Sequence, residues 1–243
     1  MRLLTILLLT TANLALAEHT KISWPELDTT LPLWTPDNQL PPSQKWPAIV
    51  YYHGTNGRPT LDLIMSATQG QHFVLVGMTY AKKGRFEYTE ESITSELSQL
   101  TTLKETIANE HAVDPSRIYV AGFSKGGWFT ALLLERDRTL AGGLVLGAGV
   151  FHGRNDPNVK PFATKKPIYL GVGRNDGNYP QALRALLHFR QLGADVILEA
   201  WPDIGHAYPR ARPTGITQWL AIQAGTTTEA QPWITNRITE IQD

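Results

Sequence analysis

Six apolar runs, five continuous and the last interrupted only by Glu199, are set apart by stretches of helical periodicity and constrain this chain more than any other feature. They are Ala48 to Tyr52, Phe73 to Met78, Ile118 to Val120, Gly143 to Leu146, Ile168 to Val172 and Val196 to Ala200. None alternates apolar and polar residues as a half-solvated strand does, so each reads as a strand buried on both faces of a mostly parallel sheet. Between them, Ile93, Leu97, Leu100, Leu103 and Ile107 place one apolar stripe on a helix from about Glu90 to Glu110. Asp114-Pro115 then turns the chain. Trp128 to Leu134 is helix-like, Pro180 and Gly193 bracket a helix carrying Leu183, Leu186, Leu187 and Phe189, and Pro213 to Gln223 predicts a final helix with Trp219 and Leu220 inward. Strands alternating with helices call for an α/β sandwich with helices on both faces of the sheet. The proline-rich stretch Glu18 to Lys45, with Trp24-Pro25 and Trp34-Thr35-Pro36, suits short edge strands and turns.

A chain of 243 residues, 42% hydrophobic and 18% charged, can bury a substantial core. It is most economically divided into a leader, residues 1–17, and one domain, residues 18–243. The leader has a single charge, Arg2, the apolar run Leu3 to Leu9, and a small-residue end at Ala15-Leu16-Ala17. This is the pattern of a cleaved secretory signal and predicts a secreted or periplasmic protein. The apolar run falls short of the roughly 20 residues that span a bilayer, so no stable membrane insertion is expected after cleavage. There is no cysteine, which excludes disulfides, thiolate metal sites, a cysteine nucleophile and a lipoprotein tether. Lys plus Arg and Asp plus Glu both number 22, and nothing in that balance courts nucleic acid.

The chemistry concentrates at Gly122-Phe123-Ser124-Lys125-Gly126. An apolar run enters this pentapeptide and a helix leaves it, which places Ser124 at the apex of a sharp strand-to-helix turn with its hydroxyl held clear. A neutral hydroxyl needs a base to take its proton and a carboxylate to orient that base. Downstream, Gly173-Arg174-Asn175-Asp176-Gly177 and Pro202-Asp203-Ile204-Gly205-His206 each follow an apolar run. Both therefore fall on the sheet edge where an open parallel sheet holds its ligand. Asp176 and His206 are the expected acid and base, with Asp156 as the competing acid, while Asp203 shapes the His206 loop. His53-Gly54-Thr55-Asn56-Gly57 follows the first long run. The backbone amides of Lys125 and Thr55, or Asn56 in place of Thr55, are the expected oxyanion donors, and His53 reads as structural. Gly171-Val172-Gly173 lacks both the third glycine and the following helix of a dinucleotide loop, so no cofactor is expected, nor a metal.

The strand-His-Gly-x-x-Gly segment, the Gly-x-Ser-x-Gly turn, the late Asp and the Gly-His together resemble the α/β-hydrolase superfamily over nearly all of the predicted mature chain. Within it the chain resembles the small secreted esterases around dienelactone hydrolase, polyhydroxybutyrate depolymerase and feruloyl esterase. Dienelactone hydrolases proper carry cysteine where Ser124 stands, and many depolymerase relatives carry one where Thr55 stands. The resemblance implies an α/β-hydrolase fold and a serine esterase acting on small-molecule or polymer-linked esters through Ser124, His206 and Asp176.

From Phe151 to Lys166 the chain is too short for a helical lid, which predicts an uncovered site. Trp128, Phe151, Trp201 and Tyr208 are the aromatic residues expected to meet substrate, joined by Phe123 and by Tyr88 or Phe86 as others able to border the site. Lys125 has two options for its side chain: to meet an acidic leaving group, or to lie along the surface. Lys82-Lys83-Gly84-Arg85 is a solvated turn or a contact for an anionic substrate group. The rival functions are a peptidase of the prolyl-oligopeptidase type, which the absence of room for a propeller disfavours, and a noncatalytic exported binding protein on a hydrolase scaffold.

Overall fold

The computed structural model describes residues 18–37, 40–41, 43–82, 87–151, 159–210 and 215–227. The expected signal, Asp156, Phe86, Lys83 to Arg85 and the last residues of the chain lie outside them. Eight strands form one sheet in the order β1-β2-β4-β3-β5-β6-β7-β8. These are β1 (Glu18–Trp24), β2 (Thr29–Thr35), β3 (Trp46–Tyr52), β4 (Val74–Met78), β5 (Val113–Phe123), β6 (Gly142–Leu146), β7 (Pro167–Gly173) and β8 (Asp195–Trp201). The first two make an antiparallel hairpin, β2 meets β4 antiparallel, and all pairings from β4 through β3 to β8 are parallel. The proline-rich segment is thus the edge of the sheet, as its composition predicts.

The helices are α1 (Asp62–Thr68), α2 (Glu90–Glu110), α3 (Lys125–Arg136), α4 (Tyr179–Gln191) and α5 (Ile216–Ala224). Alternation along the buried strands decides which helix covers which face. Ala48, Val50 and Tyr52 of β3 point into a core with α2, α3 and α4. Ile49 and Tyr51 point into the other, with α1 and α5. Both faces are covered, so the strands need no solvated polar side and read as mainly apolar runs. Thr89 caps α2 by accepting a hydrogen bond from the Ser92 N–H at 3.2 Å.

Two local readings change. The turn at Asp114-Pro115 lies inside β5 as an irregularity, where Asp114 Oδ1 accepts from the Ser116 N–H at 2.9 Å and the register with β3 shifts. The helix α1 is too short for its periodicity to stand out in the sequence. Between β6 and β7, the described residues contribute no helix.

Candidate active site

The site is assembled at the C-terminal ends of β3, β5, β7 and β8. Ser124 joins β5 to α3 with φ 58° and ψ −122°. A non-glycine residue held there stores roughly 1–3 kcal/mol of strain, which the surroundings must over-determine. They do so with a hydrogen bond from the Ser124 N–H to the Leu146 carbonyl at 2.8 Å and one from the Trp128 N–H to the Ser124 carbonyl at 3.0 Å. The flanking glycines serve close approach, not a positive φ. A Cβ on Gly126 would stand 2.0 Å from the Tyr52 oxygen, and one on Gly122 would stand 2.3 Å from the Gly126 carbonyl. Without side chains at these two positions, the start of α3 can press directly against β3.

Asp176 and His206 come from the loops after β7 and β8, and these loops are joined backbone to backbone. Arg174 N–H donates to the Trp201 carbonyl and Asn175 N–H to the Ile204 carbonyl, each at 2.9 Å. A Cβ on Gly173 would lie 2.2 Å from the Ile204 oxygen, so glycine permits the contact. His206 Nδ1 lies 2.7 Å from Asp176 Oδ2, and its Nε2 lies 2.8 Å from Ser124 Oγ. A carboxylate accepts only, so Nδ1 carries the proton and Nε2 is left to accept from the serine hydroxyl. The other carboxylate oxygen of Asp176 accepts from the Asn178 N–H at 2.9 Å, and Asn178 Nδ2 donates to the Gly147 carbonyl at 2.8 Å. Asn178 went unread in the sequence, although an Asx residue two positions past the acid is a turn signal. The Asp176 side chain is 3% exposed and that of His206 is 43% exposed. Phe123 tilts against the imidazole with ring centroids 5.2 Å apart.

The loop after β3 runs beside the serine, and a Cβ on Gly54 would lie 3.5 Å from Ser124 Cβ. Thr55 and Asn56 are exposed there, Asn56 with φ 58°. Lys125 begins α3, so its amide is among the first helical N–H groups, which have no partner within the helix. Its side chain does not simply lie along the surface: the ammonium lies 5.2 Å above the ring of Tyr80. Below it, Glu96 is fully buried on the apolar stripe of α2, one oxygen accepting from the Ala81 N–H at 2.7 Å and the other without a partner. Burial pushes its carboxyl up to about 8, against the opposing pull of the Ala81 hydrogen bond and the Lys125 charge. A cavity of about 490 Å³ adjoins the loop after β3, lined by Tyr51, His53, Gly54, Arg58 and Asp62 among others.

Trp128, one turn into α3, packs tilted against Phe151 with ring centroids 4.3 Å apart, and Phe151 against Tyr88 at 4.4 Å, forming a half-buried aromatic row from three segments. Tyr208 is half-buried beside the His206 loop. Trp201 departs from expectation. Its indole is 2% exposed and occupies the space over Gly171, where a Cβ would come within 2.6 Å of it. It belongs to the core, because the final residue of β8 points into the sheet face covered by α5 and not up to the rim.

This sheet, with a serine on a strained strand-to-helix turn after β5 and Asp and His in the loops after β7 and β8, defines an α/β-hydrolase. Residues 35–234 match the dienelactone hydrolase family, and the chain belongs to that family. Over 133 residues it is 26% identical to a probable carboxylesterase SOBER1-like protein of Arabidopsis thaliana, an alignment taking in 49% of this chain and 51% of that protein. The chain therefore spans about half the length of that curated relative. Among solved structures, the Bacillus cereus carboxylesterase superposes with a TM-score of 0.59 at 17% identity, covering 75% of this chain and 89% of that one. The Pyrococcus horikoshii acylaminoacyl peptidase gives 0.58 at 16% identity, covering 84% of this chain but only 39% of the peptidase. At such identities these likenesses speak for the fold alone.

Proposed function

We propose that this protein is an exported carboxylic ester hydrolase that works through an acyl-enzyme on Ser124. One observation carries the reading: a single imidazole, that of His206, bridges the hydroxyl of Ser124 and the carboxylate of Asp176 at hydrogen-bonding distance on both sides. In the first half-reaction the Ser124 oxygen bonds to the ester carbonyl carbon while Nε2 takes its proton. The carbonyl oxygen becomes an oxyanion held by the amides of Lys125 and Thr55, with Asn56 as the alternative to Thr55. Collapse breaks the bond to the alcohol, which leaves with the proton from Nε2. Water repeats the sequence against the acyl-enzyme and releases the acid. Asp176 holds the imidazole in the required tautomer throughout.

Family membership and the names of the relatives support an ester over other acyl compounds. The aromatic row of Trp128, Phe151 and Tyr88 supplies a surface for the acyl or alcohol part, and Tyr208, beside the His206 loop, supplies a further contact. Fluorophosphonate is expected to label wild-type protein and not Ser124→Ala, and short-chain nitrophenyl esters to be cleaved only by the wild type. Equal cleavage by both proteins would end the acyl-enzyme reading, and no cleavage by either would favour a binding protein.

A further inference from the structure

We infer that His53 is a positioning residue for the oxyanion site: as its Nδ1–H tautomer, it pins the Gly54 carbonyl and so aims the amide of Thr55. The inference rests on the ester-hydrolase reading above and gives a specific role to a residue that the sequence marks only as structural. His53 Nδ1 lies 2.8 Å from the Gly54 oxygen. A carbonyl only accepts, so that nitrogen bears the proton. The imidazole is 2% exposed, and its Nε2 is buried without a partner. Burial above all, reinforced by the Lys125 charge and opposed by the Gly54 hydrogen bond, holds its titration below the usual histidine range. The ring is therefore neutral, with its one proton committed to Gly54.

The Gly54 carbonyl and the Thr55 N–H belong to one peptide unit. Planar trans geometry points them in opposite directions, so fixing the oxygen fixes the hydrogen. The same oxygen accepts a second hydrogen bond from the Gly57 N–H at 3.1 Å. Two donors on the carbonyl polarise the unit and make its N–H a stronger donor toward a developing anion. The ring has no freedom to leave. Tyr80 meets it edge-on at 4.9 Å and donates its hydroxyl proton to the His53 carbonyl at 2.6 Å. Gly57 gives up the volume the imidazole fills, since a Cβ there would stand 2.9 Å from Nδ1.

Two measurements test this. In protein labelled with 15N-histidine, His53 is expected to show a protonated Nδ1 and a bare Nε2 from neutral to mildly alkaline pH. In kinetics on nitrophenyl esters, His53→Asn keeps an N–H donor at the Nδ1 position, whereas His53→Gln carries its amide one methylene too far. His53→Asn is expected to hold kcat within about threefold, while His53→Gln and Gly57→Ala lose about a hundredfold with KM close to wild type, as for loss of one oxyanion donor. Thermal melts select the variants that fold. A proton on Nε2, equal losses for Asn and Gln, or wild-type kcat in folded His53→Gln and Gly57→Ala would each overturn the inference. A wild type inert to every ester would remove the proposed function and leave the tautomer measurement to judge His53.

Discussion

Asp176 can be tested apart from the fold, because its two oxygens do different work: one accepts from the Asn178 backbone and the other from His206. Asp176→Asn preserves the shape but presents an amide, which stabilises the wrong imidazole tautomer. Steady-state kinetics are expected to show kcat down by on the order of 10³–10⁴, with the melting temperature little changed. Asp156→Asn should leave kcat near wild type, and the reverse pattern would reassign the acid. Ser124, Asp176 and His206 stood out in the sequence because each follows an apolar run ending at one edge of a parallel sheet, in the order this architecture uses. His53 was legible as a structural residue of the oxyanion loop, but its partner atom was not, and Tyr80 went unread, since both side chains bond backbone oxygens that no residue pattern marks. Trp201 was misjudged for a related reason: adjacency to a loop says nothing about which face of the strand a side chain takes.

Among the elements, α2 was the most legible, and its expected and observed bounds agree. Its stripe also holds an anomaly in plain view. Glu96 lies three residues after Ile93 and four before Leu100, so helical spacing alone puts a carboxyl in the apolar face. The buried group titrates near 8 against an ordinary value of 4.5. As pH rises, the unfolded chain gives up this proton before the folded one does, so Glu96 progressively costs stability between those two values. Glu96→Gln removes the titration. Its melting temperature relative to wild type is therefore expected to climb from pH 5 to about pH 8 and then level off. A constant offset in melts across that range would mean the carboxyl is charged throughout. Short elements were less readable, since the seven residues of α1 give too few turns for a period to show, and a bulge let β5 absorb the Asp114-Pro115 turn.

At the scale of the molecule, the layered α/β plan was readable from periodicity, but the strand order was not. Nothing in the runs themselves says that β4 slips between β2 and β3, because pairing partners are chosen by packing across the sheet. The proposed export has its own test. Since β1 begins at Glu18, the expected cleavage after Ala17 would leave a chain that enters the sheet at once. Protein recovered from outside the cytoplasm is expected to have Glu18 as its first residue by intact mass, and a product retaining Met1 would refute the signal. The solvent-facing imidazole of His206 has a consequence for the chemistry of every turnover. In the proposed reaction, an acyl group on Ser124 beside this exposed imidazole would meet whichever small nucleophile diffuses in, with water prevailing through abundance and dissolved alcohols competing with it to form new esters.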